Sequence, residues 1–67
     1  MENKQEILDL LLPALQATRN LNDLKELIYD LKSEHVIAVF DNNSRKRINV
    51  AGDSGTAMIQ DIINNIV

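Results

Sequence analysis

Apolar residues near the end of the chain recur at Met58, Ile59, Ile62, Ile63, Ile66 and Val67, a spacing of i, i+1, i+4, i+5, i+8 and i+9. That spacing puts all six on one face of a helix, with Gln60, Asp61, Asn64 and Asn65 opposite. Ile62 and Ile63 are expected at the buried centre of that face. Asp53 or Ser54 can cap the first turn, because a short side-chain oxygen accepts from an otherwise unpaired backbone N–H two or three residues on. Gly52, just before them, lets the backbone turn from strand to helix. So broad an apolar face needs a partner surface from the rest of the chain.

Residues 4–18 carry the same pattern at Ile7, Leu8, Leu11, Leu12 and Leu15, with Leu10 and Ala14 widening the face. Pro13 interrupts it. Inside a helix, proline removes a hydrogen bond and clashes with the carbonyl four residues back, at roughly 3 kcal/mol. Either the helix kinks at Pro13, or a second short helix begins there with proline in its first turn. The kink is favoured, since it lets one segment wrap a small twisted sheet.

Thr18 to Asp23 reads as a connection. The stretch after it is ambiguous. Leu21, Leu24, Leu27, Ile28 and Leu31 fit a helix with Asn20 or Asn22 as cap, but Leu27, Tyr29 and Leu31 also alternate as in a strand. Tertiary logic favours the strand, near 27–32, because a two-stranded ribbon is a poor platform for two apolar helices.

The hairpin that follows is clear. His35 to Phe40 is β-branched and apolar, Asp41-Asn42-Asn43-Ser44 is turn chemistry, and Arg45 to Ala51 returns. With Asn42, Asn43 and Ser44 as the loop, Val36, Ala38 and Phe40 share a face with Lys46, Ile48 and Val50, which gathers apolar residues for the helices. The opposite face carries Ile37 and Val39 beside Arg45, Arg47 and Asn49. Those five residues are the candidate partner-binding surface.

The resulting fold class is α+β over a single domain, residues 1–67. It has an N-terminal helix, a three-stranded antiparallel sheet (or a helix plus a two-stranded hairpin) and a C-terminal amphipathic helix, with the helices on one sheet face. Sixty-seven residues lie near the lower limit for a self-sufficient core, and no cysteine is present to staple it. A homodimer is the default expectation. With 45% hydrophobic residues the chain is too apolar for a disordered segment.

A single histidine cannot build a zinc site alone, so neither a metal nor a cofactor is expected. The net charge of −3 argues against a general nucleic-acid coat, although three of the seven basic residues cluster as Arg45-Lys46-Arg47. No signal peptide or membrane-length apolar run is evident, which places the protein in the cytoplasm with no membrane partner.

Several motifs invite chemistry. Gly52-Asp53-Ser54-Gly55 matches the nucleophile motif of chymotrypsin-like proteases, and Asp-Ser-Gly-Thr the aspartic-protease signature. The first needs a histidine and an aspartate placed by two barrels. The second needs a mostly β chain, whereas here an amphipathic helix follows at once. The plain reading is a helix cap. An anion at the same helix start would meet the Asp53 carboxylate. His35 and Glu34, as neighbours in a strand, would point to opposite faces and make no acid–base pair. Tyr29 is expected as a partly buried amphipathic ring. The chain is therefore not read as an enzyme.

At Arg47-Ile48-Asn49-Val50, Asp53-Ser54-Gly55 and Ala57 to Ile62, the chain resembles small uncharacterised proteins encoded by phages and prophages of Gram-positive bacteria. The resemblance covers the part from Val36 on. It implies an intracellular accessory protein of phage growth or lysogeny, and brings no catalytic residue with it. The reading that results is a non-enzymatic protein-interaction module, a homodimer with a host or phage protein as further partner. The alternative is a weak nucleic-acid-binding regulator using Arg45-Lys46-Arg47.

Overall fold

The computed structural model describes residues 3–67, folded as α1 (Lys4–Gln16), β1 (Leu24–Asp30), β2 (His35–Phe40), β3 (Arg45–Asn49) and α2 (Gly55–Asn65). The three strands form one antiparallel sheet in the order β1-β2-β3. Leu8 and Leu15 of α1, Met58 and Ile62 of α2 and Ile66 just after it join Leu27, Val36, Ala38 and Ile48 of the sheet in one core. Both helices therefore lie on the same sheet face, α1 against β1 and α2 against β3.

The first helix runs unbroken through Pro13, with no second helix starting there. Pro13 is exposed, so its ring meets solvent rather than the core. Asn3 caps the helix, its Oδ1 accepting from Glu6 N–H at 3.0 Å. Leu10, expected to widen the apolar face, is instead 71% exposed.

The ambiguous stretch is a strand preceded by a short 3-10 turn, Arg19–Leu21. Its register explains the mixed signal. Leu24 pairs with Phe40 and Glu26 with Val39, so Lys25 is an extra residue in a β-bulge. The bulge lets Leu24 and Leu27, three apart as on a helix, both face the core. Leu31 falls beyond the strand and is exposed.

The hairpin closes one step earlier than expected. Phe40 N–H donates to Ser44 O at 3.0 Å and Asn43 N–H to Phe40 O at 2.8 Å, so Asp41, Asn42 and Asn43 form the loop. Asn43 takes φ +66°, the left-handed region that asparagine tolerates. Val36 pairs with Ile48 and Ala38 with Lys46. Relative to the expected loop the pairing moves by two residues, which leaves every side chain on its expected face.

The helix α2 starts at Ser54, whose side chain accepts from Ala57 N–H at 3.2 Å, while Gly52 turns the chain at φ +75°. Ser54→Ala is expected to lower stability by about 0.5–2 kcal/mol in a denaturation titration. Asp53→Ala removes no such cap. Met58, Ile62 and Ile66 are buried, but Ile63 is 50% exposed and Val67 is largely exposed. The apolar face of α2 is broader than the sheet can cover, and its second ridge faces out.

The two sheet edges differ. Along β1, α1 supplies glutamine amides to the backbone: Gln5 Oε1 accepts from Tyr29 N–H at 2.9 Å and Gln5 Nε2 donates to Leu27 O at 3.1 Å. Gln16 Nε2 donates to Leu24 O at 2.8 Å. These bonds occupy groups that would otherwise template another strand. Among the described residues, no such bond reaches the outer edge of β3.

Candidate functional site

Pairing across the sheet builds the uncovered face from three rows: Glu26, Val39 and Arg45; Ile28, Ile37 and Arg47; Asp30, His35 and Asn49. The rows follow from strand alternation, since these residues sit between those that face the helices. All five residues singled out in the sequence, Ile37, Val39, Arg45, Arg47 and Asn49, lie together here. The strand β1 adds three that strand alternation could not supply while its identity was open: Glu26, Ile28 and Asp30. On this face β1 therefore carries two acids flanking Ile28, β2 two aliphatics and His35, and β3 two arginines and Asn49.

The aliphatic part is smaller than the sequence suggests. Val39 is only 7% exposed, though no helix covers it, while its row neighbours Glu26 and Arg45 are exposed. The long stems of such side chains can cover an aliphatic neighbour and leave their charges in water. Ile37 is half-buried, and Ile28, at 39%, offers the most aliphatic surface.

Polar contacts hold the end of the face near the β1–β2 turn. Arg47 Nη2 donates to Ser33 Oγ at 3.4 Å, and Lys32 N–H donates to Asp30 Oδ1 at 3.0 Å. The Asp30 carboxyl is held below its usual range by hydrogen bonds from the Ser33 side chain and the Lys32 backbone, with the Arg47 charge adding to them. Partial desolvation opposes them, by more than the Arg47 charge contributes. His35 Nδ1 lies 2.8 Å from Ser33 O, and since a carbonyl only accepts, Nδ1 carries the proton. His35 is thus a strand-end residue tied to its own turn, and Glu34 before it sits at φ +54°.

The Asp-Ser-Gly-Thr segment lies on the helix side of the sheet connection. Ser54 Oγ is engaged in the cap, and the ring nitrogen His35 Nδ1 is engaged at Ser33. Asp53 Oδ2 is buried with no hydrogen-bond partner among the described residues. Its pKa is raised, first by a hydrogen bond shared with Asp61, then by burial and the Asp61 charge, with Lys4 opposing.

The two aspartates make opposite contributions to stability against pH. The Asp53 contribution is fully present below the unfolded value, near 3.8, and is lost as pH rises through the raised folded value. The Asp30 contribution is present above the unfolded value and is lost as pH falls through the lowered folded value. Asp61→Asn supplies an amide donor to Oδ2 and removes the repulsion. Urea midpoints measured across the carboxylate range are expected to lose the decline with rising pH in that variant, and to keep the Asp30 loss in acid.

On the opposite side of the molecule, Ile7, Leu10, Leu11 and Ala14 of α1 and Ile59 of α2 line an apolar groove of ≈ 320 Å³. The visible signal for it was the double apolar ridge of α2, more than one sheet face can bury. Among the described residues no cluster of three or more histidine, aspartate or glutamate side chains could hold a metal ion. Nor is any described helix long and apolar enough to cross a membrane.

Comparisons with protein-family models, curated proteins and solved structures gave no match to this chain.

Proposed function

We propose that the protein is a non-enzymatic interaction module that pairs with a second copy of itself through the uncovered sheet face. The observation that carries this reading is the row Glu26, Val39, Arg45, which runs acid, aliphatic, base across β1, β2 and β3, with Asp30 on the β1 side and Arg47 on the β3 side of the other two rows. Consider a two-fold axis parallel to the strands, lying in the interface. It sets β1 of one copy over β3 of the other and β2 over β2. Glu26 then faces Arg45, and Ile37 meets its own counterpart. An axis across the strands would set acid over acid instead. The face is therefore self-complementary in one orientation, as a two-fold interface requires.

Size fixes the strength. Three strands at about 4.8 Å spacing and five residues at about 3.4 Å give a face of roughly 15 × 17 Å. That is below a standard interface of about 800 Å² per partner, so the dimer dissociates on dilution. Sedimentation velocity over a concentration series is expected to show reversible dimerisation, weakened by Arg45→Glu. A chain that stays monomeric at every concentration would remove this reading.

The nucleic-acid alternative rests on Arg45, Lys46 and Arg47. Against it, Glu26 and Asp30 share the face with the two arginines, and Lys46 turns to the other face, where its Nζ reaches Ile66 O at 3.5 Å. The two aromatics, Tyr29 and Phe40, pack against the core and are not placed to stack on bases. A cytoplasmic accessory role in phage growth or lysogeny, with a host or phage protein as further partner, fits such a module and rests on the likeness of the part from Val36 on.

A further inference from the structure

We infer that the free edge of β3 is a docking site for an extended acidic segment of another protein, added as a fourth strand. Phe40 N–H donates to Ser44 O at 3.0 Å at one end of the ladder and Val50 N–H to Glu34 O at 3.0 Å at the other, so by alternation Ala38–Lys46 and Val36–Ile48 are the bonded pairs between β2 and β3. The N–H and C=O groups of Arg45, Arg47 and Asn49 therefore point away from β2, out of the sheet edge. Among the described residues nothing bonds them. The strand has no proline and no bulge, and four of its five residues are exposed.

The contrast with β1 gives this weight. There, Gln5 and Gln16 bond three backbone groups, Leu24 O, Leu27 O and Tyr29 N–H, so α1 occupies much of that edge of the sheet. An edge left open beside a closed one has the geometry of strand addition, in which backbone bonds give affinity and alternate side chains give specificity.

Charge selects the occupant. A strand added to β3 places every second side chain on the uncovered face, beside Arg45 and Arg47. Acidic residues at those positions make favourable cross-strand pairs. A second copy of β3 is disfavoured, because the antiparallel registers that overlap most of the strand, about Arg47 or Lys46, set arginine against arginine. The outward backbone groups lie in the plane of the sheet, so strand addition itself does not depend on whether the face above dimerises, while the charge preference draws on Arg45 and Arg47 at the rim of that face.

The test uses the full chain and a short peptide alternating Glu with Val, read by amide hydrogen exchange. Addition of the peptide is expected to slow exchange at Arg45, Arg47 and Asn49, with Lys46 and Ile48 unchanged because they already bond to β2. A peptide with Lys in place of Glu is expected to give no slowing. Arg45→Glu/Arg47→Glu is expected to reverse the preference, each substitution shifting the affinity ratio by up to about fivefold. Arg47→Pro removes an outward N–H that β2 does not use, a change edge strands tolerate, and is expected to weaken the acidic peptide more than Arg47→Ala does. Slowed exchange at sites other than β3, equal binding of the two peptides, no binding of either, or stronger protection of the same amides by duplex DNA would each overturn the proposal.

Discussion

Ile62→Ala is expected to lower stability by about 2–5 kcal/mol, the range for emptying a closed aliphatic site. Ile62 has no exposed surface and sits in the core that joins α2 to both α1 and the sheet. At roughly 0.05–0.15 kcal/mol per residue, a chain of 67 residues has about 3–10 kcal/mol in total. The substitution therefore removes a large part of it. Ile63→Ala, one position on and half exposed, is expected to cost less than about 1 kcal/mol. Urea denaturation of the pair separates the ridges of α2, and equal losses at both positions would contradict the packing described here.

The second large effect concerns the closed edge. Gln5→Leu removes two hydrogen bonds to β1, leaving Tyr29 N–H and Leu27 O without their partner. At about 0.5–1.5 kcal/mol net per bond the expected loss is about 1–3 kcal/mol. A second consequence follows from exposing strand edge: the variant is expected to form concentration-dependent species larger than the dimer in light scattering. Gln5→Glu keeps the acceptor for Tyr29 N–H but loses the donor, and is expected to fall between the two. Wild-type stability and monodispersity in Gln5→Leu would mean that the amides do not close the edge.

The sequence makes the element order legible where pattern and turn chemistry agree. The apolar periodicity of both helices, the Gly52-Asp53-Ser54 junction and the Asp41-Asn42-Asn43-Ser44 turn each point to the structure that forms. The sheet faces are legible too, because a two-residue movement of the hairpin leaves side-chain parity unchanged. What one strand's residues do not reveal is a bulge. Lys25 shifts the parity of β1, so Leu24 and Leu27 mimic a helix while both face the core. The division of α2 into a buried and an exposed ridge is also hidden, since it depends on how much sheet lies beneath.

Of the candidate surface, Ile37, Val39, Arg45, Arg47 and Asn49 are legible as one face from alternation alone. Its acidic border is not, because Glu26 and Asp30 join it only once β1 is known to pair with β2. That border changes the chemistry of the face from a basic patch to a charge-graded one. The edge-closing glutamines were equally invisible, as they act through contacts between residues more than twenty positions apart in the case of Gln5.

The central claim, self-recognition through rows of opposite charge, is tested most directly by mixing two single variants. Glu26→Arg makes β1 repel Arg45 of a second identical copy, and Arg45→Glu makes β3 repel Glu26 of a second identical copy. Each alone is expected to sediment as a weaker dimer or a monomer. In an equimolar mixture, the arginine at position 26 of one variant faces the glutamate at position 45 of the other, while the wild-type Glu26 and Arg45 face each other on the opposite side. The account predicts that the mixture sediments as a heterodimer at concentrations where each variant alone is monomeric. A mixture that sediments as the average of two monomers, or variants that dimerise as well as the wild type, would contradict it.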